Sequence, residues 1–408
     1  MVHHFTKFLE KKIEQEEELK MFPEEIIAEI FSWLPAKSIG RFRCASKPWK
    51  SLLSQPQFIK THLDRTKHRP IVEESLILLS PESGSLYSTQ LNNAHHLLDE
   101  ITLFAKKLTF DDHRFTFFYH RLVSCDGLIL VSNDDKKLLL INPTTREIKE
   151  MPSLSLPFDL KPLSFGLGYD SVNDDYKVVL ISCIEKTFDA QMFVHVYSVR
   201  NGTWKRVDDS PFKHFPFEDT SAVFVDGFIH WVAMSSDRSF VIAAFDLVDE
   251  KFYEVPLSSL ADTDKVDSEE SESDYSEVSD SDNTDEEFMF DDLVVLGGCL
   301  CAFPLCISDT CHNLFVAMMK EYGAEESWTK IPIKYSDSEI RPLCLLGKEQ
   351  MVMMICRRIN EVLVVYNMKE ATLKDIVVHG FPGKIGVGGS YFESLVSPHC
   401  SNEAVTTL

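Results

Sequence analysis

The sequence has no apolar run long enough to cross a membrane. Its longest uncharged apolar stretch, Leu293 to Ser308, falls short of the roughly 20 residues a spanning helix needs. Gly297, Gly298 and Pro304 within it favour a buried strand. No apolar segment follows the charged opening MVHHFTKFLEKK, so no secretory signal is expected. Basic residues are also scarce. There are 41 Lys and Arg against 64 Asp and Glu, a formal net charge of −23, which argues against non-specific nucleic-acid binding, since phosphate backbones need a basic surface. That charge suits a basic protein partner drawn in by the long-range field. Ten cysteines in 408 residues make no disulfide framework. Without a secretory signal they are expected as reduced thiols in a cytoplasmic or nuclear protein.

The chemical constellations are missing too. Cys299, Cys301, Cys306, Cys311 and His312 cluster in the sequence, but their spacing fits no common structural zinc module. Cys299 and Cys301 would share one face of a strand, where buried thiols ordinarily sit. GKIGVGGS (383–390) is glycine-rich but lacks the preceding strand, the following helix and the Lys-Ser/Thr ending of a phosphate-binding loop. It reads as a flexible turn before a last strand. His95, His96 and His230 stand beside no nucleophile or carboxylate that the sequence pairs with them. No catalytic residue, metal or cofactor is expected.

What is present begins with residues 19–63, after an arm (1–18) that favours helix but carries no apolar stripe. Phe22, Ile26, Ile27, Ile30, Phe31 and Leu34 recur at the spacing of one helix face, opened by Pro23 and closed by Pro35. Ile39, Phe42 and Cys44 suggest a second helix. Ser46 caps a third that carries Pro48, Trp49, Leu52 and Leu53, and Ser54 and Pro56 open a short trailing helix. Three short helices cannot bury so many large apolar side chains among themselves. The pattern alone leaves two readings open: the core of a small helical domain, or a docking module that expects a partner.

The phrases in this stretch resemble the F-box of plant F-box proteins. Leu34-Pro35-x-Lys37-Ser38, Arg41-Phe42-Arg43-Cys44, Ser46-Lys47-x-Trp49 and Ser54-x-Pro56-x-Phe58 follow one another in that family's order. Phe22 replaces the usual opening leucine, and Ala45 a more usual valine or isoleucine. The resemblance implies binding to a Skp-type adaptor and, through it, a cullin. Phe22, Pro23, Ile26, Ile30, Leu34, Pro35, Trp49 and Leu53 would form the docking surface or its immediate support.

From Ile71 the texture changes to short strands and turns. RLVSCDGLILVSNDDKKLLLINPTTREIKEMP (121–152) alternates strands with Asp-Gly, Asn-Asp-Asp and Asn-Pro turns. The unit recurs across 165–207, 225–256, 296–332 and 343–378, with an irregular version across 71–118 that includes SLILLS and ITLFAKKLTF as strands. Repeats of this length point to an all-β domain over 71–396, a β-propeller of about six blades, with a strand near Tyr391–Val396 closing the ring and a tail over 397–408. Residues 262–287 interrupt it with thirteen Asp or Glu against one Lys. This reads as a disordered loop between blades, with Ser271, Ser279 and Thr284 each placed for an acidophilic kinase.

The second region resembles the plant F-box-associated interaction domain of the F-box/kelch-repeat and S-locus F-box types. The likeness lies in Asn142-Pro143-x-Thr145-Arg146, Gly168-Tyr169-Asp170, Asp175-Tyr176-Lys177-Val178-Val179, Met319-Lys320-Glu321-Tyr322-Gly323 and Ser327-Trp328-Thr329-Lys330. It implies the substrate-recognition subunit of a Skp–cullin–F-box ubiquitin ligase: the helices join the adaptor and the propeller holds a protein target for ubiquitination. Members of these families serve in pollen self-incompatibility, where stylar ribonucleases are the targets, and in control of immune receptors and other signalling proteins. The alternative is a propeller scaffold that binds the adaptor without sustained ubiquitylation. A propeller enzyme or sugar-binding module would instead need a ligand in the central channel.

Overall fold

Proline and serine set the boundaries of the N-terminal helices. The computed structural model describes residues 23–69, 74–91, 95–97, 100–110, 122–132, 137–154, 161–184, 191–215, 222–257, 290–304, 314–334, 340–357 and 360–399. Pro23 stands immediately before α1 (Glu24–Phe31), whose first turn carries Glu24 and Glu25 at the positive end of the helix dipole. Pro35 precedes α2 (Ala36–Ala45). Ser46 caps α3 (Lys47–Leu53), its Oγ accepting the Trp49 N–H at 3.3 Å. Pro56 opens α4 (Pro56–Lys67), which at 12 residues is longer than the trailing helix the sequence suggested. The arm 1–18, Phe22 and the acidic stretch with Ser271, Ser279 and Thr284 lie outside the described residues.

The helices share a core of Phe31, Ala36, Ile39, Leu53 and Phe58, with Phe42 and Trp49 half-buried beside it. The rings of Phe31, Phe42 and Trp49 meet at tilted or edge-on angles with centroids 4.8, 5.3 and 5.4 Å apart, the geometry their quadrupoles favour. Arg43 donates to the Leu53 carbonyl from Nε (3.1 Å) and Nη2 (2.5 Å), satisfying an acceptor that the end of α3 would leave open.

Six sheets follow as the blades of a ring. Blade 1 joins Glu74–Ser80, Ser85–Gln90 and Lys106–Lys107 to the C-terminal strand Val387–Phe392, which supplies its innermost position. Blade 2 spans Val123–Cys125 to Glu147–Glu150, blade 3 Lys161–Asp170 to Thr203–Arg206, blade 4 Val223–Val225 to Phe252–Val255, blade 5 Phe290–Leu296 to Trp328–Ile333 and blade 6 Ile340–Leu346 to Thr372–His379. Inner strands touch in that order, and blade 6 returns to the C-terminal strand of blade 1. The ring is therefore closed by pairing the two ends of the domain, Glu74↔Phe392 through Leu79↔Val387. Val387–Ser390 belong to this strand, so GKIGVGGS is only in its first part the turn that the sequence suggested.

One turn design repeats. Asn142, Asp170, Asp246 and Asn367 each end a strand and accept, on Oδ1, the N–H groups two and three residues on, at 2.7–3.1 Å. In each case the residue four positions on adopts positive φ: Arg146, Asp174, Glu250 and Ala371. The blades also lock pairwise. Trp204 Nε1 donates to the Pro152 carbonyl at 2.8 Å, and Trp328 Nε1 to that of Pro256 at 2.9 Å, each tying an outer strand to the end of the preceding blade. Gly166 lets blade 3 approach blade 4, since a Cβ there would lie 2.5 Å from Ile229 Cγ2 and 2.9 Å from Trp231 Cζ2.

One more stretch departs from the sequence reading. ITLFAKKLTF is not one strand: Glu100–Phe104 pairs in parallel with Thr372–His379 at the outer edge of blade 6, and Lys106–Lys107 returns to blade 1. Ala105 marks the handover, its N–H donating to the His379 carbonyl at 2.8 Å.

Candidate docking surfaces

The apolar face of α1 and of the turn after it (32–34) divides into two stripes. Ile27, Phe31 and Leu34 turn toward the helical core. Ile26, Ile30 and Trp33 point outward, 46%, 58% and 58% exposed. Pro23 and Pro35 flank them and are exposed as well. Of the residues expected to dock an adaptor, Pro23, Ile26, Ile30 and Pro35 are thus available to a partner. Leu34 and Trp49 are half-buried supports, and Leu53, fully buried, is an interior residue. Trp33 was missed by the sequence reading, although its spacing from Ile26 and Ile30 by seven and three residues was visible. The Arg65 guanidinium lies 4.7 Å from the Trp33 ring centroid and 2.5 Å from the Glu29 carboxylate, which its hydrogen bond holds below the ordinary carboxylate pKa. Arg69 donates to the Trp33 carbonyl at 2.8 Å. The outward tryptophan is therefore held in place from below.

The helices rest on one face of the ring. Within a blade the strands alternate in direction, so the turns after the first and third strands share a face. Lys67 pairs with Asp126 (2.6 Å) in the first turn of blade 2, Lys60 with Asp174 (3.2 Å) in that of blade 3, and Lys37 with Glu393 (2.5 Å) just past the closing strand. Apolar contacts add to these pairs: Leu395 enters the helical core, while Leu63 and Ile59 pack into the core of blades 2 and 3. Asn142 Nδ2 holds the segment carrying Leu395 by donating to the carbonyls of Val396 (2.7 Å) and Ser394 (3.2 Å). Exposed pairs such as Lys60–Asp174 contribute little, but Asp126 is buried and accepts from Tyr176 as well, at 3.0 Å. The segments that join one blade to the next start from the opposite face. Among these is the chain from the outer strand of blade 4 to the inner strand of blade 5, which contains the acidic stretch.

The central channel holds a cavity of about 100 Å³ between inner strands, lined in part by Ser124, Asp292, Arg341 and Gly388. That is below the roughly 300 Å³ at which small-molecule sites begin. His230 sits inside blade 4, with Nε2 2.8 Å from the Tyr322 hydroxyl, and burial pushes its pKa down to about 4, so it is a neutral structural residue. Cys301 is buried in blade 5 and burial pushes its thiol pKa up. Cys306, Cys311 and His312 lie outside the described residues, as do the side chains of His95 and His96. Among the described residues no three His, Cys, Asp or Glu converge on a possible metal position, and no helix is long and apolar enough to cross a membrane.

Residues 76–398 match the family described as the F-box associated beta propeller domain, and residues 19–61 match the F-box domain. This chain belongs to the F-box associated beta propeller family. The first match runs from inside blade 1 to just beyond the closing strand, so it takes in the whole ring. Curated Arabidopsis thaliana relatives agree. F-box protein CPR1 is 29% identical over 76% of this chain and 72% of its own length. F-box protein At3g07870 is 26% identical over 89% of each chain, and F-box/kelch-repeat protein At3g23880 is 29% identical over 57% of this chain and 65% of its own. The domain pair of this F-box associated propeller protein implies, in general terms, binding to a Skp-type adaptor and a substrate-recognition role in a Skp–cullin–F-box complex.

Proposed function

We propose that this chain is the substrate-recognition subunit of a Skp–cullin–F-box ubiquitin ligase and recruits a protein target for ubiquitination and proteasomal degradation. The observation that carries the reading is the outward stripe of Ile26, Ile30 and Trp33. These are large apolar side chains on α1 and the turn that follows it, left uncovered by the described parts of the chain, with Trp33 anchored from beneath by Arg65. Such a face suits an apolar groove on an adaptor, where a few buried anchors supply most of the affinity. The chain would act by proximity and make no bonds itself: the helix face joins the ligase while the opposite face of the ring meets the target. The acidic stretch is tethered at that opposite face, which favours a target with a basic surface.

The test is co-purification with a Skp-type adaptor. Ile26→Asp with Ile30→Asp puts charge on the outward stripe and leaves Phe31, Ile39 and Leu53 untouched. Adaptor recovery should fall by at least about tenfold, given that single buried anchors are worth ~2 kcal/mol or more, while the thermal midpoint of the chain stays put. Undiminished recovery with this pair would sink the reading. Recovery of adaptor without cullin by the unaltered chain would favour the scaffold alternative.

A further inference from the structure

Between the helices and the ring lies a second cavity, of about 400 Å³, which the adaptor and target surfaces do not use. Lys37 of α2 covers one side. Thr89 and Gln90 of blade 1, Lys106 at the start of its outer strand, Thr144 and Arg146 in the third turn of blade 2, and Tyr391 of the closing strand form much of the rest. Its polar groups are poorly matched within the protein. Thr89 Oγ1, Thr144 Oγ1 and Arg146 Nη1 are all shielded from solvent and have no hydrogen-bond partner, and Thr89 is only 2% exposed.

The charges point to an anion. The one carboxylate in the lining, Glu393, is already engaged by Lys37 at 2.5 Å and by Gln90 Nε2 at 2.9 Å. Arg146 and Lys106 form no ion pair among the described residues, and they face the same cavity in a chain of net charge −23. Burial pulls the Arg146 pKa down from its ordinary value, although the nearby Tyr391 and Glu393 act the other way, and a guanidinium keeps its proton in any protein. The position is also fixed: Arg146 sits in the positive-φ place of the repeated turn (φ 67°), with its N–H donating to the Asn142 carbonyl at 2.9 Å. In the matching place of blade 6 stands Ala371, so the turn itself does not require an arginine. Phe104 and Pro143 give the cavity an apolar wall.

We propose that this cavity binds a small organic anion, with a phosphate or carboxylate head on Arg146 and Lys106 and a ring or apolar body against Phe104 and Pro143. A volume of about 400 Å³ lies in the small-molecule range and exceeds what a lone inorganic ion fills. Because Lys37 of α2, strands of blade 1 and a turn of blade 2 all contribute, the bound anion would tie the helices to the ring.

The experiment uses the full chain in complex with a Skp-type adaptor and measures calorimetric affinity and thermal midpoint with four probes: phenyl phosphate, benzoate, inorganic phosphate and phenol. Phenyl phosphate or benzoate should bind and raise the midpoint, and whichever is tighter identifies the head group. Inorganic phosphate should bind more weakly, and phenol should have no effect. Arg146→Gln and Lys106→Gln should each weaken the better probe about tenfold or more, the loss typical of a charge-assisted hydrogen bond. Lys106 is exposed, so its variant carries the test if Arg146→Gln folds poorly. No binding of either organic anion at 10 mM (roughly the weakest useful affinity), or equal binding by both variants, would overturn the proposal.

Discussion

Glu74 begins the first strand of the ring opposite Phe392, so its ionisation bears on the closure. Burial pushes its carboxyl pKa up to about 7, although hydrogen bonds with Cys344 and Ser390 act the other way, and its Oε2 has no partner. The folded ring therefore favours the neutral acid. In the unfolded chain the same group ionises near 4.5. Glu74 thus contributes stability that is fully present below about pH 4.5 and is lost as pH rises through about 7, on the order of 3 kcal/mol in all. Glu74→Gln should flatten the decline in denaturant stability between pH 5 and pH 8 and raise the midpoint at pH 8. An unchanged slope would show that the carboxyl is not buried as neutral acid. His214 and His230 work with the opposite sign. Burial holds them neutral, with pKa values of about 3 and about 4, so their contribution is lost as pH falls below 6.5, and the Glu74 variant leaves that limb in place. A second charged group is buried in better company. Desolvation works against the Lys177 ammonium, but hydrogen bonds to Asp170 (2.7 Å) and Glu250 (2.9 Å) prevail and leave its pKa raised, which joins blades 3 and 4 through a satisfied ion cluster.

At the scale of strands and turns, the contact between those two blades depends on missing side chains. Gly166→Ala would bring a methyl within 2.5 Å of Ile229 and force Trp231, a fully buried residue, to shift. It should destabilise the ring by about 1–3 kcal/mol in denaturant melts, the usual cost of overpacking, whereas Gly347→Ala, which meets nothing nearby but has φ 72°, reports backbone strain alone. A loss at Gly166 no larger than that at Gly347 would contradict this packing. The blades were largely legible in the sequence because their signals are local. Asp126-Gly127 and Asp226-Gly227 adopt positive φ at both residues, and Asn142, Asp246 and Asn367 end strands where the repeated phrases placed them. The excursion of Glu100–Phe104 to blade 6 was not legible, because a parallel partner some 270 residues away leaves no periodic mark on the five residues that join it. On α1 the spacing identified an apolar helix but could not tell the inward stripe from the outward one. That distinction depends on where α3 and α4 sit, and it promoted Trp33 and moved Leu53 to the interior. The anion pocket was likewise invisible, since Lys37, Lys106, Arg146 and Tyr391 come from four distant parts of the chain.

For the molecule as a whole, the arrangement separates two tasks. Helices α1 to α4 are held on one face of a closed ring by a shared apolar core and by Lys67 on the buried Asp126, so a partner held by α1 stands in a set orientation to the blades. The ring is closed by its own C-terminal strand, which pairs the two ends of the domain. In the reading proposed above, the helices meet the adaptor and the face of the ring away from them is left for a target. The most direct measurement compares cells carrying the unaltered chain with cells carrying Ile26→Asp/Ile30→Asp, identifies proteins captured by both, and follows their ubiquitylation and half-life with and without proteasome inhibition. The expected result is a target bound by both chains but ubiquitylated and short-lived only with the unaltered one. Captured proteins whose ubiquitylation and half-life are the same in both would contradict a role in substrate recognition for degradation.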